Sequence, residues 1–202
     1  MKLRSLRFVL SLSSLCLAIG CSVSTTSHST PSSNQGKSGS PVARNTADPV
    51  LAKSLEEAFR AYHKGMTSKD KADHQKALLA WLGKKDDVKT LFAKYPAADL
   101  YTFVLNTTLE GDAEEYANRE KESGEIMSIE AIDLRSSAGA GYRMSAVERV
   151  TPADVPIYAL RIGYEEELNP TSIAPVFFVN GRWAWMPGLE KMVPLWPEPE
   201  KK

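Results

Sequence analysis

Residues 176–185 read VFFVNGRWAW. An Asn-Gly pair between two apolar runs predicts a two-residue type I′ hairpin, because only such residues take positive φ at both central positions. The opposed pairs are then Val179–Arg182, Phe178–Trp183, Phe177–Ala184 and Val176–Trp185. Side chains alternate along a strand, so Val176, Phe178, Trp183 and Trp185 share one face. That face is either core packed against helices or an aromatic-lined pocket or partner surface. Pro187-Gly188 ends the hairpin, and Pro194, Pro197 and Pro199 mark residues 193–202 as a stiff or frayed tail.

Upstream of the hairpin, Tyr158, Leu160, Ile162 and Tyr164 alternate with Ala159, Arg161 and Gly163, which predicts a strand. Pro156 falls near its start, where a missing N–H is tolerated. Residues 126–134 (IMSIEAIDL) read as an earlier strand whose imperfect alternation allows a bulge. Gly139-Ala140-Gly141 predicts a turn. Residues 142–150 mix Met and Val with Arg, Ser and Glu, and read as a partly exposed strand.

Before residue 124 the period is helical. Asp48-Pro49 is a start signal, an N-cap acid followed by proline at the first helical position. Leu51, Leu55, Phe59, Tyr62 and Met66 form one apolar stripe ending near Gly65. A second helix follows Ser68, puts His74, Leu78, Trp81 and Leu82 on one side and stops at Gly83. A third begins at Asp86 or Asp87 and carries Val88, Leu91, Phe92 and Tyr95. A fourth carries Leu100, Phe103, Val104 and Thr107. Residues 112–123 are very polar and read as an exposed helix or turn.

Helices first and an antiparallel meander after them make an α+β domain over residues 47–192. The order of elements, with its closing NGRWAW hairpin, resembles the nuclear transport factor 2-like cone fold. It is most similar to the small bacterial lipoproteins of unknown function in that superfamily. The resemblance implies N-terminal helices packed on a curved antiparallel sheet with an open mouth. Enzymes and pure binding modules share that fold, so it implies no one function.

The first 46 residues are of another kind. Lys2, Arg4, Arg7, Lys37 and Arg44 precede the first acidic residue, Asp48. Residues 1–46 are therefore net +5, and the remainder net −5, in a chain of 202 residues with 25 basic and 25 acidic side chains. A domain at −5 is a poor partner for nucleic acid, whose phosphates demand clustered Lys and Arg. Lys2, Arg4 and Arg7 lead into the uncharged run FVLSLSSLCLAI at 8–19. As a helix that run spans roughly 18 Å, too short for a hydrocarbon core of about 30 Å, and it reads as a secretory signal over residues 1–20. Leu17-Ala18-Ile19-Gly20-Cys21 resembles the lipobox of bacterial lipoproteins. The resemblance implies cleavage after Gly20, a thioether to diacylglycerol at Cys21 and acylation of the new amino group. It implies a palmitate-class anchor in the bilayer of the cell envelope. In a two-membrane host, Ser22 after the cysteine points to the outer membrane, facing the periplasm.

Residues 22–46 (SVSTTSHSTPSSNQGKSGSPVARNT) cannot bury enough surface to offset their ordering entropy. With Cys21 they form a lipidated tether whose reach is roughly 25–30 Å. Cys16 and Cys21 are the only cysteines, so the domain has no thiol for a disulfide, a metal or catalysis. His28 is an incidental tether residue. His63 and His74 read as helix-end and boundary histidines, and a general-base role for either needs an acid nearby in space.

No HExxH, GxGxxG, P-loop, GxSxG or EF-hand spacing occurs, so neither catalytic residues nor a cofactor or metal is expected. Glu110, Asp112, Glu114 and Glu115, and separately Glu165, Glu166 and Glu167, read as solvated acidic faces. Asp133, Tyr142, Tyr158 and Tyr164 are the strand residues available to an acid–tyrosine site. The expectation is a membrane-anchored envelope lipoprotein with a non-catalytic domain that binds a ligand or an envelope protein partner. The alternative is a cone-fold enzyme, a hydrolase or dehydratase acting on a small molecule.

Overall fold

The structure is a computed structural model, and it describes residues 47–109, 112–142 and 144–196. The signal, Cys21, the tether with His28, Glu110 and residues 197–202 lie outside the described residues.

The helices form where the sequence signals place them. Helix α1 (Pro49–Met66) is capped by Asp48, whose Oδ1 accepts from Val50 N at 2.8 Å and Leu51 N at 3.4 Å. It buries Leu55, Phe59, Tyr62 and Met66 of the expected stripe, and leaves Leu51 half-buried. Helix α2 (Lys71–Trp81) is capped by Asp70 and buries His74, Leu78 and Trp81. Helix α3 spans Lys85–Phe92, and Asp87 reaches back to accept from Lys84 N at 2.9 Å. Helix α4 (Ala98–Leu109) and helix α5 (Ala113–Ser123) complete the helical half.

In α4 the buried face is turned from the one expected. Leu100 and Phe103 are exposed, while Ala98, Tyr101, Thr102 and Leu105 are buried. Tyr101 decides the phase: burying its large ring is favourable, and its hydroxyl finds the Pro187 carbonyl at 3.2 Å. The side chains of Val104 and Thr107 lie outside the described part of this helix.

Strands β1 (Ile126–Asp133), β2 (Ile157–Tyr164), β3 (Thr171–Val179) and β4 (Arg182–Trp185) form one antiparallel sheet in the order β1-β2-β3-β4. The fold is thus mixed α+β. The β3–β4 register pairs Val176 with Trp185, Phe177 with Ala184, Phe178 with Trp183 and Val179 with Arg182, as the turn type dictates. Asn180 and Gly181 have φ of 52° and 73°. The irregularity expected in β1 lies between Ile126 and Ser128, and β3 carries another opposite Tyr158–Leu160.

Residues 142–150 are not a strand. They close a short 3₁₀ turn (Gly139–Tyr142) and form helix α6 (Ser145–Val150). Met144, Val147 and Val150 are the buried positions. Their spacing is three, a helical period that the mixed polarity of the segment conceals. After β4 comes the short helix α7 (Leu189–Met192) and a 3₁₀ turn. Val193 and Trp196, expected in the tail, are buried instead. The Trp196 ring meets Phe92 edge-on at 5.3 Å and Tyr95 at 5.7 Å, and that aromatic burial outweighs the stiffness of the flanking prolines.

Both faces of the hairpin are covered. Trp183 packs on Tyr158 and Phe178 and donates its indole N–H to Ser54 Oγ of α1 at 2.9 Å. On the other face, Phe177 meets Phe92 of α3 edge-on at 6.0 Å. Among the described residues no helix is long and apolar enough to cross a membrane.

Candidate functional site

The expected face divides. Val176 is fully buried and Trp183 is 6% exposed, so both are core. Phe178 and Trp185 are half-buried, and Trp185 meets Tyr116 of α5 edge-on at 5.8 Å. Of the four, Trp183 also borders a cavity of about 780 Å³ between α1 and α2.

The walls of this groove are small. Ala58, Ala61 and Gly65 supply one side from α1, and Ala77 and Ala80 the other from α2. The helices come so close at its narrow point that a Cβ on Gly65 would lie 2.4 Å from Ala77 Cβ. Below lie the buried rings of Tyr62, Trp81 and Trp183. The charged lining residues are Lys64, Lys76, Asp73 and Arg182. The two lysines are exposed and make no ion pair among the described residues.

Arg182 is already committed. Its guanidinium donates to the carbonyls of Ala80, Leu82 and Trp183 and lies 3.1 Å from Asp87 Oδ2. It thereby caps the C-terminal end of α2, where backbone carbonyls lack helical partners. Asp87, 2% exposed, also accepts from Lys84 N and from Asn180 Nδ2 at 2.9 Å. This one carboxylate ties the start of α3 to the tip of the hairpin.

Both histidines of the domain find acids, and both acids lie on α5. His63 Nδ1 sits 2.7 Å from Glu120 Oε2, which also accepts from Tyr164 Oη at 3.0 Å. Burial, and after it the Glu120 carboxylate, pushes the phenols of Tyr62 and Tyr164 far above their usual value. His74 is 2% exposed, with Nδ1 3.0 Å from Glu114 Oε1 and Nε2 2.8 Å from the Ser68 carbonyl. Lys121 Nζ also lies 3.4 Å from Nε2. Lys71 and His74 hold the Glu114 carboxyl below its usual value.

The other candidates disperse. Asp133 and Tyr158 face each other across β1–β2 and border a second cavity of about 240 Å³ with Asp48 and Arg135. Tyr158 Oη accepts from Asp48 N at 3.1 Å, and burial raises its phenol. Tyr164 lies with Glu120, and Tyr142 is half-buried in the 3₁₀ turn. Glu115 pairs with Arg119 on its own helix, while Glu167 accepts from Ser123 and Thr171. Among the described residues no three His, Cys, Asp or Glu side chains converge to hold a metal.

Sequence reading placed Glu114 only on a solvated acidic face, and missed Glu120, the groove and the contact of Glu114 with His74. The signal for Glu120 lies in its own stripe: Ala113, Tyr116, Ala117 and Glu120 recur at helical spacing within a segment read only as polar. The signal for the groove is the small-residue row Ala58, Ala61 and Gly65, beside the apolar stripe of α1.

No protein-family model matches this chain, and no curated protein or solved structure matches it significantly.

Proposed function

We propose that this protein is a lipid-anchored lipoprotein of the cell envelope whose α+β domain is a non-catalytic binding module. It takes an apolar guest, or an apolar segment of an envelope protein, in the groove between α1 and α2. The observation that carries the binding reading is the groove itself. Its size lies within the range of roughly 300–1,000 Å³ usual for small-molecule sites, and its body is alanine, glycine and buried aromatic rings. The anchor rests on the lipobox-like run ending at Cys21, and in a two-membrane host the site is the outer membrane facing the periplasm. The nuclear transport factor 2-like cone belongs to the same proposal and rests on element order, helices before a meander that ends in the Asn180-Gly181 hairpin.

A second reading, a hydrolase or dehydratase of that fold, is favoured by one observation, the contact of His63 with Glu120 beside Tyr164. A carboxylate that orients an imidazole is the arrangement a general base needs. Against it, His63 borders neither of the two cavities described above.

Two experiments test the proposal. Membrane fractionation and mass spectrometry of the mature N-terminus should find Cys21 diacylated, and Cys21→Ala should leave a precursor or release the protein from membranes. Titration with the apolar dye N-phenyl-1-naphthylamine should give saturable fluorescence that Ala61→Phe abolishes. Ala61 is exposed on α1, so the variant fills the groove without disturbing the core. Dye binding equal in parent and variant contradicts the groove as the site.

A further inference from the structure

We infer that the guest of the α1–α2 groove is a single-chain amphiphile with an anionic oxygen head, bound as a free monomer. The inference rests on the groove being the binding site and adds the chemistry of what fills it.

The first argument is shape. A helix presented by a partner protein is about 10–12 Å across with its side chains. Here the walls are alanines and a glycine on two helices that nearly touch at Gly65 and Ala77. A slot of about 780 Å³ so bounded suits an unbranched chain far better than a folded element. The second argument is charge. Lys64 stands on α1 one residue before Gly65, and Lys76 on α2 one residue before Ala77, and both side chains line the slot. Neither has a carboxylate partner among the described residues. Asp73 is the one carboxylate in the lining, and its Oδ2 already accepts from Ser68 Oγ at 2.7 Å.

Charge complementarity then selects the guest. A neutral hydrocarbon leaves both ammonium groups unpaired, and a cationic amphiphile is repelled by them. An anionic head on an apolar chain pairs with the lysines while its tail covers Ala58, Ala61 and Ala80.

The test uses the full chain carrying Cys21→Ala, titrated by calorimetry with dodecanoate, with dodecanol and with phosphatidylglycerol vesicles. Dodecanoate should bind more tightly than dodecanol. The exposed pair Lys64→Gln/Lys76→Gln should weaken dodecanoate roughly three- to tenfold and leave dodecanol unchanged, the range expected of two exposed ion pairs. Asp73→Asn should tighten dodecanoate, and added salt should weaken it. Circular dichroism confirms that each variant folds. If dodecanol binds as well as dodecanoate, or the lysine pair makes no difference, the anionic head is wrong and the groove stands. If neither monomer binds, the groove reading falls with it. Binding to the vesicles without binding to dodecanoate overturns the inference in favour of contact with a bilayer surface.

Discussion

Trp183 donates its indole N–H to Ser54 Oγ at 2.9 Å across 129 positions of sequence, and this bond joins the hairpin to the helix that walls the groove. The Trp183 ring is 6% exposed and rests on Tyr158 and Phe178. Trp183→Ala should destabilise the domain by about 3–5 kcal/mol, as for a large aromatic lost from a core. Trp185, half-buried with an edge contact to Tyr116, should cost distinctly less when changed to Ala. Urea unfolding midpoints measured at constant slope separate the two. Equal losses would mean that the two rings are equally deep in the core.

The hairpin tip is conformationally demanding. Gly181 sits at φ +73°, and a Cβ there meets no atom within 4 Å, so the penalty for a side chain is backbone strain rather than a clash. Gly181→Val should cost more than about 1 kcal/mol, and Gly181→Asn much less, because Asn tolerates the left-handed region. Thermal melts of the pair measure the difference. Matching melts would mean that the turn relaxes to another type.

Asp87 is the electrostatic joint between α3 and the hairpin. It is 2% exposed and faces Arg182, Lys84 N and Asn180 Nδ2. Asp87→Ala leaves the Arg182 guanidinium and two N–H donors short of an acceptor. It should cost about 3–5 kcal/mol, the range for breaking a buried pair from one side. Asp87→Asn keeps an oxygen acceptor and should cost less. A double-mutant cycle with Arg182→Met measures the coupling, and a coupling near zero would show that the pair is merely adjacent.

Stability should fall at both ends of the pH scale for nameable reasons. Lys71 first and His74 second lower the Glu114 carboxyl from its usual 4.5. That contribution is complete above pH 4.5 and is lost as pH falls through the lowered folded-state value. Glu114→Gln should therefore flatten the acid side of the stability curve. Tyr62 and Tyr164 are pushed above the usual 10.0, by burial first and Glu120 second. The folded chain keeps both protons where the unfolded chain releases them. Stability is complete below pH 10 and declines above it. Tyr62→Phe and Tyr164→Phe together should make that alkaline decline shallower, as read by urea midpoints across the range.

Local chemistry made the hairpin and the first three helices legible. Asn180-Gly181 permits one turn type, which fixes the whole β3–β4 register, and Asp48-Pro49 can hardly do other than start a helix. Residues 142–150 were illegible as helix because polar side chains occupy the exposed positions of so short a segment. The depth of Trp196 was hidden by the prolines around it, since its partners Phe92 and Tyr95 are distant in sequence. The contacts of His63 and His74 with α5 were invisible for the same reason. Each is a tertiary meeting across 40 positions or more, and the acids sit in a helix whose composition advertises only solvent. The groove was half legible: the small residues of α1 keep helical spacing, but only the placement of α2 makes them a wall.

The most direct test of the central claim is methyl NMR of the alanine-labelled full chain carrying Cys21→Ala, titrated with N-phenyl-1-naphthylamine. The account predicts that the Ala58, Ala61, Ala77 and Ala80 methyl signals shift together and saturate at one affinity, while Ala153 at the second cavity stays still. Shifts at Ala153 without shifts at the four groove alanines, or no saturable shift at any of them, would contradict it.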